Sequence, residues 1–256
     1  MTICKVFSFS LCAAGLLGAQ DIPAKAPPFG PIELPNTEAL YQQLLRSNAE
    51  GIGKFYMGRQ ISHFMGHQGA TWLERPERER EENTSEMIKC LKLKAGDQVA
   101  DIGVGTGYIA RRMAKAIGPE GTVFGVDIQP EMLALLVRNM KKAGISNVKG
   151  VRGGVSDPKL KLNSLDFVIM VDVYHEFSHP FEMMSGIVKA LKPGGRVAFV
   201  EYRAEDPKVP IKRLHKMSEA QVKKEAALFP LKHVETYKKL PWQHVVFFEK
   251  TEVKKK

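Results

Sequence analysis

Three short runs of this chain carry residue types whose spacing suits chemistry. Asp101-Ile-Gly103-Val-Gly105-Thr-Gly107 places an acid ahead of three glycines at alternate positions. Glycine lets a backbone turn tightly and approach a ligand closely, and a helix that starts directly afterwards offers free N–H groups. Gly125-Val-Asp127 ends a second apolar run in an acid that can accept hydrogen bonds from two ribose hydroxyls. Asp172-Val-Tyr174-His175-Glu176-Phe177 gathers four polar-capable side chains. Imidazole, with an ordinary pKa of about 6.5, accepts a proton near neutrality. His175 is therefore the candidate general base or acceptor-orienting group, with Tyr174 and Glu176 shaping the same catalytic wall.

For these runs to meet, a sheet must bring them to one edge. Val99 to Ile102, Val123 to Val126, Val148 to Val151, Phe167 to Val171 and Val197 to Val200 are short and rich in β-branched residues. Helical patterns at Tyr108 to Ile117, Pro130 to Ala143 and Pro180 to Leu191 lie between them. Near-continuous apolar strands separated by helices predict an α/β fold with a parallel sheet buried on both faces. Val234 to Tyr237 and Trp242 to Glu249, joined by Lys238 to Pro241, have a spacing suited to a closing hairpin. A ligand is then expected at the C-terminal end of the first core strand.

A dinucleotide fold also ends its second strand in an acid. Its G-x-G-x-x-G fingerprint, started at Gly103, would need glycine at position 108, which is Tyr108. Asp101 suits a sulfonium donor, whose amino-acid portion brings an ammonium group, and would repel a pyrophosphate.

Asp101 to Gly107, Asp127, Leu165-Asp-Phe-Val-Ile-Met-Val-Asp172 and Leu191-Lys-Pro-Gly-Gly195 resemble, in content and order, the class I S-adenosylmethionine-dependent methyltransferases of small-molecule type. The resemblance spans about Ala95 to Lys250. It implies a Rossmann-like, doubly wound, seven-stranded sheet, mostly parallel with an antiparallel last strand, and S-adenosylmethionine as cofactor across the strand ends. Gly103, Gly105 and Gly107 would face the donor's amino-acid portion and Asp127 its ribose. Met132 would back the adenine, and Asp172 would stand at the donor's edge. The usual adenine-contacting acid after the third strand is replaced by Gly153-Gly-Val-Ser-Asp157. Backbone around Gly154 and Val155 is expected to serve instead, with Asp157 as the alternative. The implied function is in-line methyl transfer to a small-molecule acceptor. The alternatives are a noncatalytic donor-binding protein that kept the fold, or a nucleic-acid methyltransferase. The last often carries an Asn/Asp-Pro-Pro-aromatic element where this chain has Asp172-Val-Tyr-His175.

The remaining sequence bounds these readings. The 256 residues, 44% hydrophobic and 26% charged, allow one large α/β domain with short appendages. Net charge is +10, and Lys5 is the sole charged residue of the first nineteen, so the basicity belongs to the rest of the chain. Lysines and arginines are scattered without an aromatic-interleaved basic stripe, so nucleic acid is not an expected partner. A solvated surface is the first reading, and contact with an anionic membrane surface or acidic substrate the second. Lys5, the apolar run Val6 to Leu17 and small Gly18-Ala19 predict a signal peptide over 1–19, hence an exported or membrane-tethered protein. Prolines at 23, 27, 28, 31 and 35 make 20–36 an extended tether. Residues 37–94 are expected to form a helical cover, in which Thr37 caps a helix carrying Leu40, Tyr41, Leu44 and Leu45. Within it, Met65 to Arg75 mixes glycine, His67 and Trp72 in the manner of a lid. The methyltransferase-like domain is placed at 95–256. No G-x-S-x-G elbow, P-loop, H-E-x-x-H helix or paired cysteines occur, and His63 and His67 lack partners at metal-ligand spacing, so no metal is expected.

Overall fold

A computed structural model describes residues 37–44 and 47–252. The expected signal peptide and tether lie outside the described residues.

The described residues open on a single 3-10 turn, Thr37–Leu40, followed by strands β1 (Tyr41–Gln43), β2 (Gly51–Tyr56) and β3 (Arg59–Ser62) in an antiparallel sheet of order β1-β2-β3. This corrects the helix expected from Thr37. The Tyr41 ring lies tilted against that of Tyr56 at 5.1 Å and its hydroxyl donates to Glu182 at 2.6 Å, while Leu44 is exposed. A short helix gains little by itself, and cross-strand contacts serve Tyr41 better than an apolar helix face would. Met57 and Gly58, both at positive φ (48° and 93°), make the two-residue connection between β2 and β3 that a right-twisted hairpin requires.

Short helices α1 (Ala70–Leu73), α2 (Arg78–Glu82) and α3 (Thr84–Cys90) follow. Asn83 caps α3 by accepting the N–H of Glu86. The cover segment is therefore half sheet and half helix.

The remainder alternates as the apolar runs predict: β4 (Gln98–Ile102), α4 (Ala110–Ile117), β5 (Thr122–Asp127), α5 (Pro130–Lys142), β6 (Val148–Arg152), β7 (Leu165–Val171), α6 (Pro180–Ala190), β8 (Leu191–Tyr202), α7 (Glu219–Ala226), β9 (Leu231–Tyr237) and β10 (Gln243–Lys250). Helix α7, inside a lysine-rich stretch, was not foreseen. The sheet order is β6-β5-β4-β7-β8-β10-β9, and β10 alone runs antiparallel to its neighbours.

Alternate residues of each central strand enter two separate cores. Val99, Val123, Phe167 and Phe247 pack against Met113 and Ile117 of α4 on one face. Ala100, Val168, Phe199 and Phe248 pack against Met184 and Ile187 of α6 on the other. Each wholly buried side chain of this size stabilises by about 1.5–3 kcal/mol, so the strand ends sit on a stiff platform. Because β5 and β7 flank β4 on opposite sides, the crevice beyond these C-terminal ends is where α/β sheets bind ligands.

Candidate active site

Beyond β4 the backbone takes φ values of +73° at Gly103 and +53° at Gly105, which L side chains rarely adopt. A Cβ at Gly103 would lie 2.5 Å from Val173 Cγ2, and one at Gly105 2.6 Å from Leu73 Cδ1. The loop is locked from below by the N–H groups of Gly103 and Val104, which donate to the carbonyl of Val126 at 2.8 and 3.0 Å. It borders a cavity of about 770 Å³, well within the range of small-molecule sites.

Asp127, at the end of β5, lines this cavity and is nearly buried. Its Oδ2 accepts the N–H of Gly105 at 3.0 Å and its Oδ1 that of Gln129 at 2.8 Å. Each oxygen keeps a lone pair for a ligand. Burial raises its pKa, and the two N–H groups work against that rise. Met132, Gly154 and Val155 line the same cavity.

Across β4, strand β7 is followed directly by Asp172 at φ +50°. Its Oδ2 accepts from the Gln243 amide at 2.6 Å, while its buried Oδ1 has no protein partner. Burial, with Glu82 and Glu201 nearby, pushes its pKa well up. Next along the wall, His175 places Nδ1 2.6 Å from Oε2 of the wholly buried Glu201, at the end of β8, and Nε2 3.1 Å from Nδ1 of His215. Burial disfavours the His175 imidazolium, but Glu201 outweighs it and the net shift is upward. His215 is pushed down to about 4, first by burial and then by His175. Glu176 accepts the N–H of Met65 at 3.2 Å, and burial lifts its pKa to about 7.

Four expected residues lie off this wall. Asp101 is buried beneath the glycine loop, close to Arg78 and the Ala110 N–H, with Oδ2 unpartnered; the strand's alternation turns it from the cavity. Gly107 faces Leu136 and Met140 of α5, where it allows close helix packing. Tyr174 is wholly buried, edge-on to Phe199 at 4.9 Å and Phe177 at 5.5 Å, because the 3-10 turn Tyr174–Glu176 sends consecutive side chains in different directions. Asp157 is tied up in a surface turn with Lys159, through the backbone N–H and Nζ, both at 2.8 Å.

The Met65 to Arg75 segment lies along the cavity and is pinned to the core. Gln129 accepts from the His67 N–H at 2.8 Å and donates to the Met65 carbonyl at 3.0 Å, while Glu74 pairs with Arg111 at 2.5 Å.

Residues 99–195 match a family model described as a methyltransferase domain. Demethylmenaquinone methyltransferase of Listeria welshimeri is 29% identical over 125 residues, which is 49% of this chain and 52% of that protein. The ubiquinone/menaquinone biosynthesis C-methyltransferase of Wigglesworthia glossinidia brevipalpis is 26% identical over 117 residues, 45% of this chain and 47% of that one. The chain spans about half the length of the curated relatives it matches. Among solved structures, a SAM dependent methyltransferase from Aquifex aeolicus superposes with TM-score 0.70 at 22% identity, covering 73% of this chain and all of that one. Residues 99–195 thus resemble a methyltransferase domain, and the chain shares the fold of S-adenosylmethionine-dependent methyltransferases.

Several residues that line the cavity escaped the sequence reading. Arg75 and Arg78 converge on Glu82 at 2.7 and 2.6 Å, Tyr202 donates to the same carboxylate at 2.9 Å, and all four line the cavity beside Asp172. Arg75 also lies 3.7 Å over the Trp72 ring. Glu201 had one visible signal, a lone acid ending the apolar run Val197 to Val200. His215, within Lys212 to Lys216, had none.

Proposed function

We propose that this methyltransferase domain moves the methyl group of S-adenosylmethionine to a small, mostly apolar acceptor. The observation that carries this reading is a single cavity whose wall follows the sheet order: Gly154 and Val155 beyond β6, Asp127 beyond β5, Gly103 and Gly105 beyond β4, then Asp172, His175 and Glu176 beyond β7. The donor, when bound, supplies a methyl already activated on a sulfonium centre. Asp127 would hold the ribose hydroxyls, Met132 and the Gly154–Val155 backbone the adenine, and the Gly103–Gly105 cradle, closed to any Cβ, the amino-acid portion. The unpartnered Asp172 Oδ1 fits the ammonium group, the role that the buried Asp101 does not fill.

Because the leaving group is built into the donor, the protein chiefly aligns the pair and excludes water. His175, fixed through Nδ1 by Glu201, forms with Glu176 the wall that orients the acceptor. Ile52, Phe64, Met65, Trp72 and Ile211 make much of the remaining lining apolar, which supports a ring-bearing, lipophilic acceptor. The curated relatives named as demethylmenaquinone methyltransferases favour the same class.

Protein incubated with S-adenosylmethionine and a fractionated extract should accumulate S-adenosylhomocysteine, with mass spectrometry locating one methylated component. His175→Ala should cut single-turnover transfer by roughly a hundredfold while donor affinity stays within a few fold. A stable, donor-binding His175→Ala protein with near wild-type turnover would remove His175 from the mechanism.

From Lys5 and the Val6 to Leu17 run we also infer export or tethering by residues 1–19. N-terminal sequencing after fractionation tests this, and a Met1 start confined to cytosol contradicts it.

A further inference from the structure

We propose that His175, Glu176 and His215 form a site for one divalent transition-metal ion of the zinc class on the cavity wall. His175 Nε2 and His215 Nδ1 lie 3.1 Å apart, and Glu176 Oε1 stands 3.9 Å from the first and 3.8 Å from the second. All three side chains line the cavity, and their ligand atoms fall within 4.8 Å of one another. Zinc–nitrogen and zinc–oxygen distances are about 2.0–2.2 Å, so cis or tetrahedral ligand atoms stand roughly 3.0–3.5 Å apart. The two nitrogens already satisfy that separation, and Glu176 reaches it with a shift of under about 1 Å.

The outer contacts are those a metal site needs. Glu201, wholly buried, holds His175 Nδ1 at 2.6 Å. A carboxylate behind the far nitrogen fixes the tautomer and leaves the Nε2 lone pair facing inward, as in carboxylate–histidine–metal arrangements. Glu176 is steadied by the Met65 N–H. His215 arrives on the short turn Arg213–His215, between β8 and α7, and is partly exposed, which gives an ion a way in. Two imidazoles and one carboxylate with a further position open to the cavity match catalytic rather than structural zinc sites. Where this rests on the methyl-transfer reading, an oxygen of the acceptor takes the open position, which assigns oxygen-bearing acceptors as the substrate class. The thirty-eight residues between Glu176 and His215 explain why ligand spacing in the sequence gave no warning.

Tag-free, chelator-stripped protein titrated with Zn2+ by calorimetry should bind one equivalent at micromolar concentration or below, and Co2+ should give visible absorption bands of a low-symmetry site. His215→Ala and Glu176→Gln should each weaken Zn2+ at least tenfold. Glu201→Gln should weaken it by roughly 10–100-fold as an outer-contact change. S-adenosylhomocysteine affinity, measured on the same samples, should stay within a few fold and so report that these variants fold. No saturable Zn2+ or Co2+ binding, or Zn2+ affinity unchanged by His215→Ala, overturns the site and leaves two rings that share a proton. Zinc binding without any binding of donor or product would instead overturn methyl transfer and leave the metal site standing.

Discussion

Asp101 shows at the residue scale how a motif acid can be buried away from the cavity it is expected to line. Burial pushes its carboxyl up to about 7, with Arg78 opposing, and Oδ2 finds no partner. Between pH 4 and 7 the folded protein thus holds a proton that the unfolded chain has released. Its contribution to stability is full below about pH 4 and is lost as pH rises toward 7, with a slope approaching about 1.4 kcal/mol per pH unit. Asp101→Asn should remove that slope. Urea unfolding at pH 5 and pH 8 should find the variant gaining on wild type by a few kcal/mol at the higher pH, and parallel pH profiles would contradict the buried, protonated carboxyl. Residue type and spacing alone pointed to Gly103, Gly105, Asp127 and His175, and all four line the cavity. Neither could say which side of a strand Asp101 faces or which way Tyr174 turns.

At the scale of elements, the parallel strands and the helices between them were legible because each buries an apolar run of the right period. The segment before β4 was not. Tyr41 and Arg59 are held by contacts 115 to 166 residues away in sequence, which no local pattern reports. Arg59 binds Glu225 of α7 at 2.6 Å through Nε and at 3.1 Å through Nη2, and its Nη1 donates to the His175 carbonyl at 3.2 Å. The hairpin β2–β3 is thereby tied both to α7 and to the turn that presents His175. Removing one partner of a buried pair leaves the other charge uncompensated, which costs about 3–5 kcal/mol. Glu225→Ala should lower stability by that amount in urea unfolding and reduce turnover through a displaced His175. A loss below about 1 kcal/mol would mean that water reaches Arg59.

Over the whole molecule, the sheet order turns distant segments into one wall. β5 and β6 place Asp127 and Gly154 on one side of Gly103, while β7 and β8 bring Asp172, His175 and Glu201 to the other. The cover segment adds Trp72 and the charged Arg75, Arg78 and Glu82, which pair with one another and are joined by Glu81 and Tyr202. That network was invisible to a one-dimensional reading because Glu82 lies 120 residues from Tyr202 and the cover-segment charges have the appearance of solvated helix charge. Everything proposed for the acceptor depends on the donor lying across this wall. Isothermal calorimetry with S-adenosylhomocysteine on the wild type and on Asp127→Ala tests that most directly. One-to-one binding that weakens at least tenfold in a variant of unchanged folding cooperativity is expected, whereas no binding by the wild type, or equal affinity in both proteins, would contradict the assignment of the cavity.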